Sequence, residues 1–144
     1  MVESDTIKLL RECDAGIKMG AASIEDVLEY VHDGTFRKLL TDCKSRHEKL
    51  EEEIQALLES FHDDGKEPNP MAKGMSWVKT NVKLVMDESD KTIAELMTDG
   101  CNMGVKSLNK YLNQYKAADE KTKDIAKRLI RLEEELAVDI RRYL

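Results

Sequence analysis

Apolar side chains recur at alternating steps of three and four along most of the chain, which is the spacing of one face of an α-helix. Ile7, Leu10, Ile17, Ala21, Ile24, Leu28 and Val31 mark the first such face. They predict a helix over about residues 5–32, with Ser4 or Asp5 as its cap and Gly34 as its stop. Phe36, Leu40, Cys43, His47, Leu50, Ile54, Leu57 and Phe61 mark a second face, which ends in His62-Asp63-Asp64-Gly65. Each stop follows a histidine, His32 or His62, that the spacing places in a last helical turn. There the free carbonyls and the helix dipole favour a partly charged imidazole.

The segment Lys66-Glu67-Pro68-Asn69-Pro70 breaks the pattern and reads as a loop. A shorter face follows, Met71, Met75, Val78, Val82 and Val85, and predicts a helix over about 70–86. Two further long faces predict helices over about 90–115 and from about 119 to the end of the chain. Four helices of about 25 residues are each roughly 38 Å long. Two of the three junctions between them are short, and short junctions make antiparallel neighbours. The connection between the second and third is long enough to carry the chain back along the bundle. The expected architecture is therefore all-α: an up-down four-helix bundle of the ferritin-like kind, with one long crossover containing a shorter fifth helix. All of residues 1–144 belong to a single domain, whose length suffices to bury a core without disulfides or a structural metal.

Composition narrows the function classes. Apolar residues are 41% and charged residues 36%, with 2 prolines and 7 glycines, which argues against an all-β fold. The 29 acidic residues outnumber 23 basic ones, and no basic stripe interleaves with aromatics, so a nucleic-acid partner is not expected. No stretch approaches a membrane span, and the acidic N-terminus does not fit a signal peptide. The expected location is the cytoplasm, where the three cysteines stay reduced.

Three short motifs carry a resemblance. They are Asp14-Ala15-Gly16 followed by Gly20-Ala21-Ala22, Trp77-Val78-Lys79, and Asp99-Gly100-Cys101-Asn102-Met103-Gly104. In these the chain resembles a family of small uncharacterised bacterial ferritin-like bundle proteins. The resemblance implies the fold and does not by itself imply an activity. Ferritin-like di-iron proteins need a Glu on each of two helices and Glu-x-x-His on each of the other two. Here Lys44 stands three residues before His47, and the last helix carries Glu133, Glu134, Glu135 and Asp139 without a histidine. A di-iron centre is not expected.

Cys43 and His47 lie one turn apart on an apolar seam. Counting residues from the helix ends brings Met19, Gly20, Cys101, Met103 and Leu132 to about the same level of the bundle. Cys43, His47 and Cys101 are thus candidate ligands of a soft metal site for Cu(I) or Zn. The alternative is a core in which cysteine and methionine fill irregular space and His47 finds buried partners. A phosphorelay role does not fit, because Glu48-Lys49-Leu50-Glu51 follows His47 where a lysine-glycine pair is needed. Asp14 is the other polar candidate at a core position. It requires a donor, for which Tyr111 or Arg128, or else a small wet cavity, is expected.

Gly16, Gly20, Gly100 and Gly104 read as notches between helices. The runs Glu51–Glu53 and Glu133–Glu135 read as solvated faces. Met71, Met75 and Trp77 suggest a flank for a homodimer or a protein partner. The reading as a whole is a ferritin-like bundle with a binding or structural role rather than an enzyme. Its alternative is a metal-binding bundle with a non-standard site around His47.

Overall fold

The computed structural model describes residues 2–66 and 89–144, with side chains described from Asp5 onward. The expected short helix at about 70–86 and the flank of Met71, Met75 and Trp77 lie outside the described residues. The described chain forms four long helices, α1 (Val2–Leu28), α2 (Gly34–Ser60), α3 (Asp90–Gln114) and α4 (Glu120–Asp139). A 3-10 turn over Ile140–Tyr143 follows α4.

Three of the helices begin at side-chain caps. Asp33, Ser89 and Asp119 accept hydrogen bonds from the backbone N–H groups of Phe36, Thr92 and Thr122, each satisfying a donor that has no partner inside its helix. Asp5, expected to cap α1, instead accepts from the N–H of Ala117, and Thr6 accepts from that of Asp119. The first turn of α1 is therefore tied to the α3–α4 junction. At the opposite end, the N–H groups of His32 and Asp33 donate to the Asp90 carboxylate at 2.8 and 2.9 Å.

These ties define the directions. The start of α3 meets the junction of α1 and α2, and the end of α3 meets the start of α1. Helices α2 and α3 thus run parallel, as do α1 and α4, which also pack together, while the pairs α1–α2, α3–α4, α1–α3 and α2–α4 are antiparallel. The end of α2 and the start of α3 therefore lie at opposite ends of the bundle, as the long connection in the sequence predicts.

The helix stops differ from the expected ones. α1 ends at Leu28 rather than near residue 32, because Val31 folds into the core with 2% exposure and the guanidinium of Arg37 satisfies its carbonyl. His32 accordingly sits beyond the helix, in the junction, rather than in a last turn. Gly34 does not stop α1; it opens α2 behind Asp33. At the end of α2, His62 itself takes the left-handed conformation at φ 56°. That is the conformation in which helices commonly terminate on glycine. Gly65, also left-handed at φ 82°, makes a second bend in the segment that leaves α2.

The core runs the length of the bundle, with Leu10, Ile24, Leu40, Ile54, Ile93 and Ile125 fully enclosed. Along α2 the buried positions follow the expected seam through Ile54 and then shift to Leu58, leaving Phe61 39% exposed. A straight helix drifts relative to a fixed seven-residue repeat, so a seam read by strict spacing leaves the core after about five turns. The C-terminal turn closes the end where α1 and α2 meet. Tyr143 stacks on Phe36 with ring centroids 4.3 Å apart, and its hydroxyl reaches Asp33.

Candidate functional site

His47 lies at the middle of α2 with 1% exposure. Its Nδ1 is 2.9 Å from the carbonyl of Cys43, one turn earlier, and a carbonyl oxygen can only accept. Nδ1 therefore carries a proton. On the other side of the ring, Nε2 is 2.9 Å from Oε1 of Glu133, which reaches it from α4. Burial pushes the imidazole pKa down, but the hydrogen bonds to Cys43 and Glu133 and the Glu133 charge outweigh burial and hold it at about 10. At neutral pH the site is an imidazolium–carboxylate pair joining two neighbouring helices through the core.

Glu133 was expected on a solvated face together with Glu134 and Glu135. It is instead 9% exposed, because α4 turns it toward His47. A signal for this existed in the sequence: Leu129, Ile130, Leu136 and Ala137 lie one turn before and after it, so its own position falls on the apolar face. A run of three glutamates hides this, since only one of the three can point inward.

The remaining walls come from α1 and α3. Gly20 presses on the ring, and a Cβ placed there would lie 2.8 Å from His47 Nε2. Gly104 faces the Glu133 carboxyl at an ordinary contact distance of 3.7 Å, and Gly16 is similarly unconstrained. Cys43 Sγ is 3.6 Å from His47 Nδ1. The Cys101 thiol lies near Glu133, and burial pushes its pKa well above the ordinary thiol range, with the charge of Glu133 adding to the effect.

The residues proposed from the sequence thus gather around one centre, Cys43, His47 and Cys101, with Gly20 beside them. Of the two methionines expected at this level, Met103 is 47% exposed. Among the described residues, no group of three or more His, Cys, Asp or Glu side chains is arranged to hold a metal ion. Comparison with protein-family models, curated proteins and solved structures finds no match.

A second polar centre lies nearer the end of the bundle where α2 finishes. Asp14, on α1, is completely enclosed. Its partners are neither Tyr111 nor Arg128. Lys18 Nζ at 3.1 Å, Gln55 Nε2 at 3.0 Å and the backbone N–H of Lys66 at 2.8 Å all donate to it. Arg128 instead forks onto Glu53 and also meets Asp124. Glu51, expected on a solvated face, leans against Asp14 and receives 2.6 Å from the same Gln55 amide. Burial and the neighbouring Asp14 push its carboxyl pKa up to about 8. Asp14 itself is drawn below the ordinary carboxylate range: burial opposes the shift, and its hydrogen bonds to Glu51, Lys66 and Lys18 outweigh it.

Two open grooves mark the surface. One, of about 420 Å³, runs between α2 and α4 and is lined by Arg46, Lys49, Glu53, Arg128, Arg131 and Glu135 over a floor of Leu50 and Leu132. The other, of about 480 Å³, lies beside the C-terminal turn at Leu39, Val138 and Tyr143. Among the described residues no helix is long and apolar enough to cross a membrane.

Proposed function

We propose that this chain is a ferritin-like bundle with a binding or structural role rather than an enzyme, acting in the cytoplasm. The ferritin-like reading is supported by the parallel course of α2 and α3, with the sequential pairs α1–α2 and α3–α4 antiparallel. Its three cysteines, all buried and unpaired, suit a reducing compartment. With a net charge of −6, its partner is a protein or a second copy of the chain rather than nucleic acid.

One observation carries the functional reading. Both nitrogens of the buried imidazole are already engaged by groups of the chain itself, Nδ1 by the Cys43 carbonyl and Nε2 by Glu133. A metal at this position would have to displace the Nε2 proton and the Cys101 thiol proton, and break a pair that the surrounding helices hold. The site is a polar tie through the core, not a poised reaction centre.

The competing reading, a soft metal site of Cys43, His47 and Cys101, draws on the convergence of these residues. Melting curves under reducing conditions, with and without a chelator, separate the two. A metal present at 100 times its Kd stabilises by about 2.7 kcal/mol, or several degrees for a domain of this size. The expected result is no chelator-dependent shift and no stoichiometric metal by elemental analysis. A fall of several degrees on chelation would sink the tie and establish the metal site.

A further inference from the structure

The carboxyl oxygens of Asp14 have three donors within reach and about four lone-pair sites to receive them. The donors are Lys18 Nζ, the Gln55 amide and the Lys66 backbone N–H. The carboxyl of Glu51, on the facing helix, stands beside them, because one Gln55 amide nitrogen donates both to Asp14 and to Glu51. Two carboxylates cannot hydrogen-bond to each other unless a proton lies between them. The Gln55 amide has already placed one N–H on Asp14 and the other on Glu51 Oε1. Glu51 Oε2 is left buried without a hydrogen-bond partner, the atom on which a proton can serve as a fourth donor.

Charge points the same way. Lys18 is the cation bound to Asp14. The ammonium of Lys66 is engaged by Glu12, and Arg11 by Asp63. Cys13, beside Glu51 on α1, is pushed up to about 12 by burial and by the charges of Glu12, Asp14 and Glu51, so it supplies no compensation. Among the described residues, the groups facing Glu51 are therefore Asp14, Lys18 and Cys13 from α1 and Gln55 from α2, with Lys66 reaching Asp14 from the exit segment. They hold one uncompensated carboxyl.

The exit from α2 is built onto this pair. Gly65 packs so closely that a Cβ there would lie within 2.3 Å of Asp14 Oδ2, and the next N–H, that of Lys66, donates to the same oxygen. We propose that Asp14 and Glu51 share one proton, forming a clasp that joins α1, α2 and the segment leaving α2, and that the clasp opens when the proton is lost.

The proton balance is simple. In the closed state Glu51 Oε2–H donates to Asp14. On opening, that proton passes to solvent, the two carboxylates repel, and Glu51 turns outward. Gln55 can then no longer bridge the pair, and the anchor under Gly65 and Lys66 loses its α2 side. The closed state binds one more proton than the open state between the ordinary carboxylate value of 4.5 and about 8. Closure is therefore complete at the acid side of that window. It weakens by at most roughly tenfold per pH unit as pH rises through it, the limit for a single proton.

The test is a pair of pH series on the intact chain. Carbon-detected NMR of the Glu51 carboxyl is expected to titrate well above the ordinary glutamate range, with the Lys66 amide shift following the same midpoint. Hydrogen-exchange protection of the Gly65 and Lys66 amides, corrected for intrinsic rates, is expected to fall across that window in the parent. In Glu51→Gln, whose neutral amide can still donate to Asp14, protection should stay level. A Glu51 carboxyl that titrates in the ordinary range overturns the shared proton, whether or not the variant folds. Protection that does not change with pH in the parent, or changes equally in the variant, overturns the clasp.

Discussion

Among the described residues two buried polar centres each join α2 to a neighbouring helix, yet they solve the problem of buried charge in opposite ways. At mid-height His47 and Glu133 are complementary, and each supplies what the other lacks. Near the end of α2, Asp14 and Glu51 are alike, and the structure surrounds them with donors from Lys18, Gln55 and the Lys66 backbone. The complementary pair keeps its proton on His47 up to about pH 10. The like pair works only with a proton. Their pH responses share a sign and differ in position. His47 is raised from 6.5 to about 10, so its contribution is whole below 6.5 and lost as pH rises through about 10. The contribution of Glu51 is whole below 4.5 and lost earlier, through about 8.

The largest effect should come from breaking the complementary pair on one side. Glu133→Leu leaves the His47 ring buried without its carboxylate, and stranding one member of a buried pair is expected to cost about 3–5 kcal/mol. Replacing both, as His47→Leu with Glu133→Leu, removes the stranded group and exchanges the pair for apolar packing. Such replacements are neutral or stabilising by up to about 4 kcal/mol. Urea unfolding of the parent, both single variants and the double variant closes a cycle. If the double variant proves as unstable as Glu133→Leu, the two residues are not partners in the folded state.

The contrast also shows how much could be read from the sequence. Axial level was legible in part: counting along helices of fixed rise put Met19, Gly20, Cys101, Met103 and Leu132 at the height of His47, and of these Gly20 meets the ring and Cys101 lies near Glu133, while Met103 is exposed. Long helical elements and the parallel course of α2 and α3 followed from periodicity and connection length. Rotation about the helix axis was less legible. Glu133 and Glu51 each sit in a run of acids, and a run gives no sign of which member turns inward; Leu129 and Leu136 carried that information for Glu133. The partners of Asp14 were least accessible, since one is a backbone N–H from a segment beyond α2, which no side-chain pattern encodes. Helix stops misled for a related reason. Gly34 resembles a stop, but the Asp33 cap decides that it begins α2.

A smaller effect should come from crowding the pair without removing it. Gly20→Ala places a methyl 2.8 Å from His47 Nε2, a contact that forces the ring or α1 to move. Because the ring is held on both nitrogens, the expected cost is about 1–3 kcal/mol, the range for overpacked interiors. Gly104→Ala meets the Glu133 carboxyl at an ordinary 3.7 Å and removes a helical glycine, so a gain of up to about 1 kcal/mol is expected. Opposite signs in thermal unfolding would place the tight contact on the α1 side of the pair. Equal losses would show that the site has no such sidedness.

The smallest effect concerns the surface counterpart. Arg128 and Glu53 join α4 to α2 as His47 and Glu133 do, at a comparable 2.8 Å, but their side chains are 36% and 47% exposed. At that exposure water and salt screen the attraction, and holding two long side chains in one geometry opposes it. Arg128→Ala is therefore expected to cost no more than about 1 kcal/mol, and the difference from the parent should shrink further as salt is added. Distance is nearly the same in both pairs and Arg128 makes the more numerous bonds, so a weaker effect at Arg128 would trace to its exposure. Denaturant unfolding at low and high ionic strength would decide whether burial sets the scale: a loss from Arg128→Ala that matched the loss from Glu133→Leu, and persisted in salt, would mean that it does not.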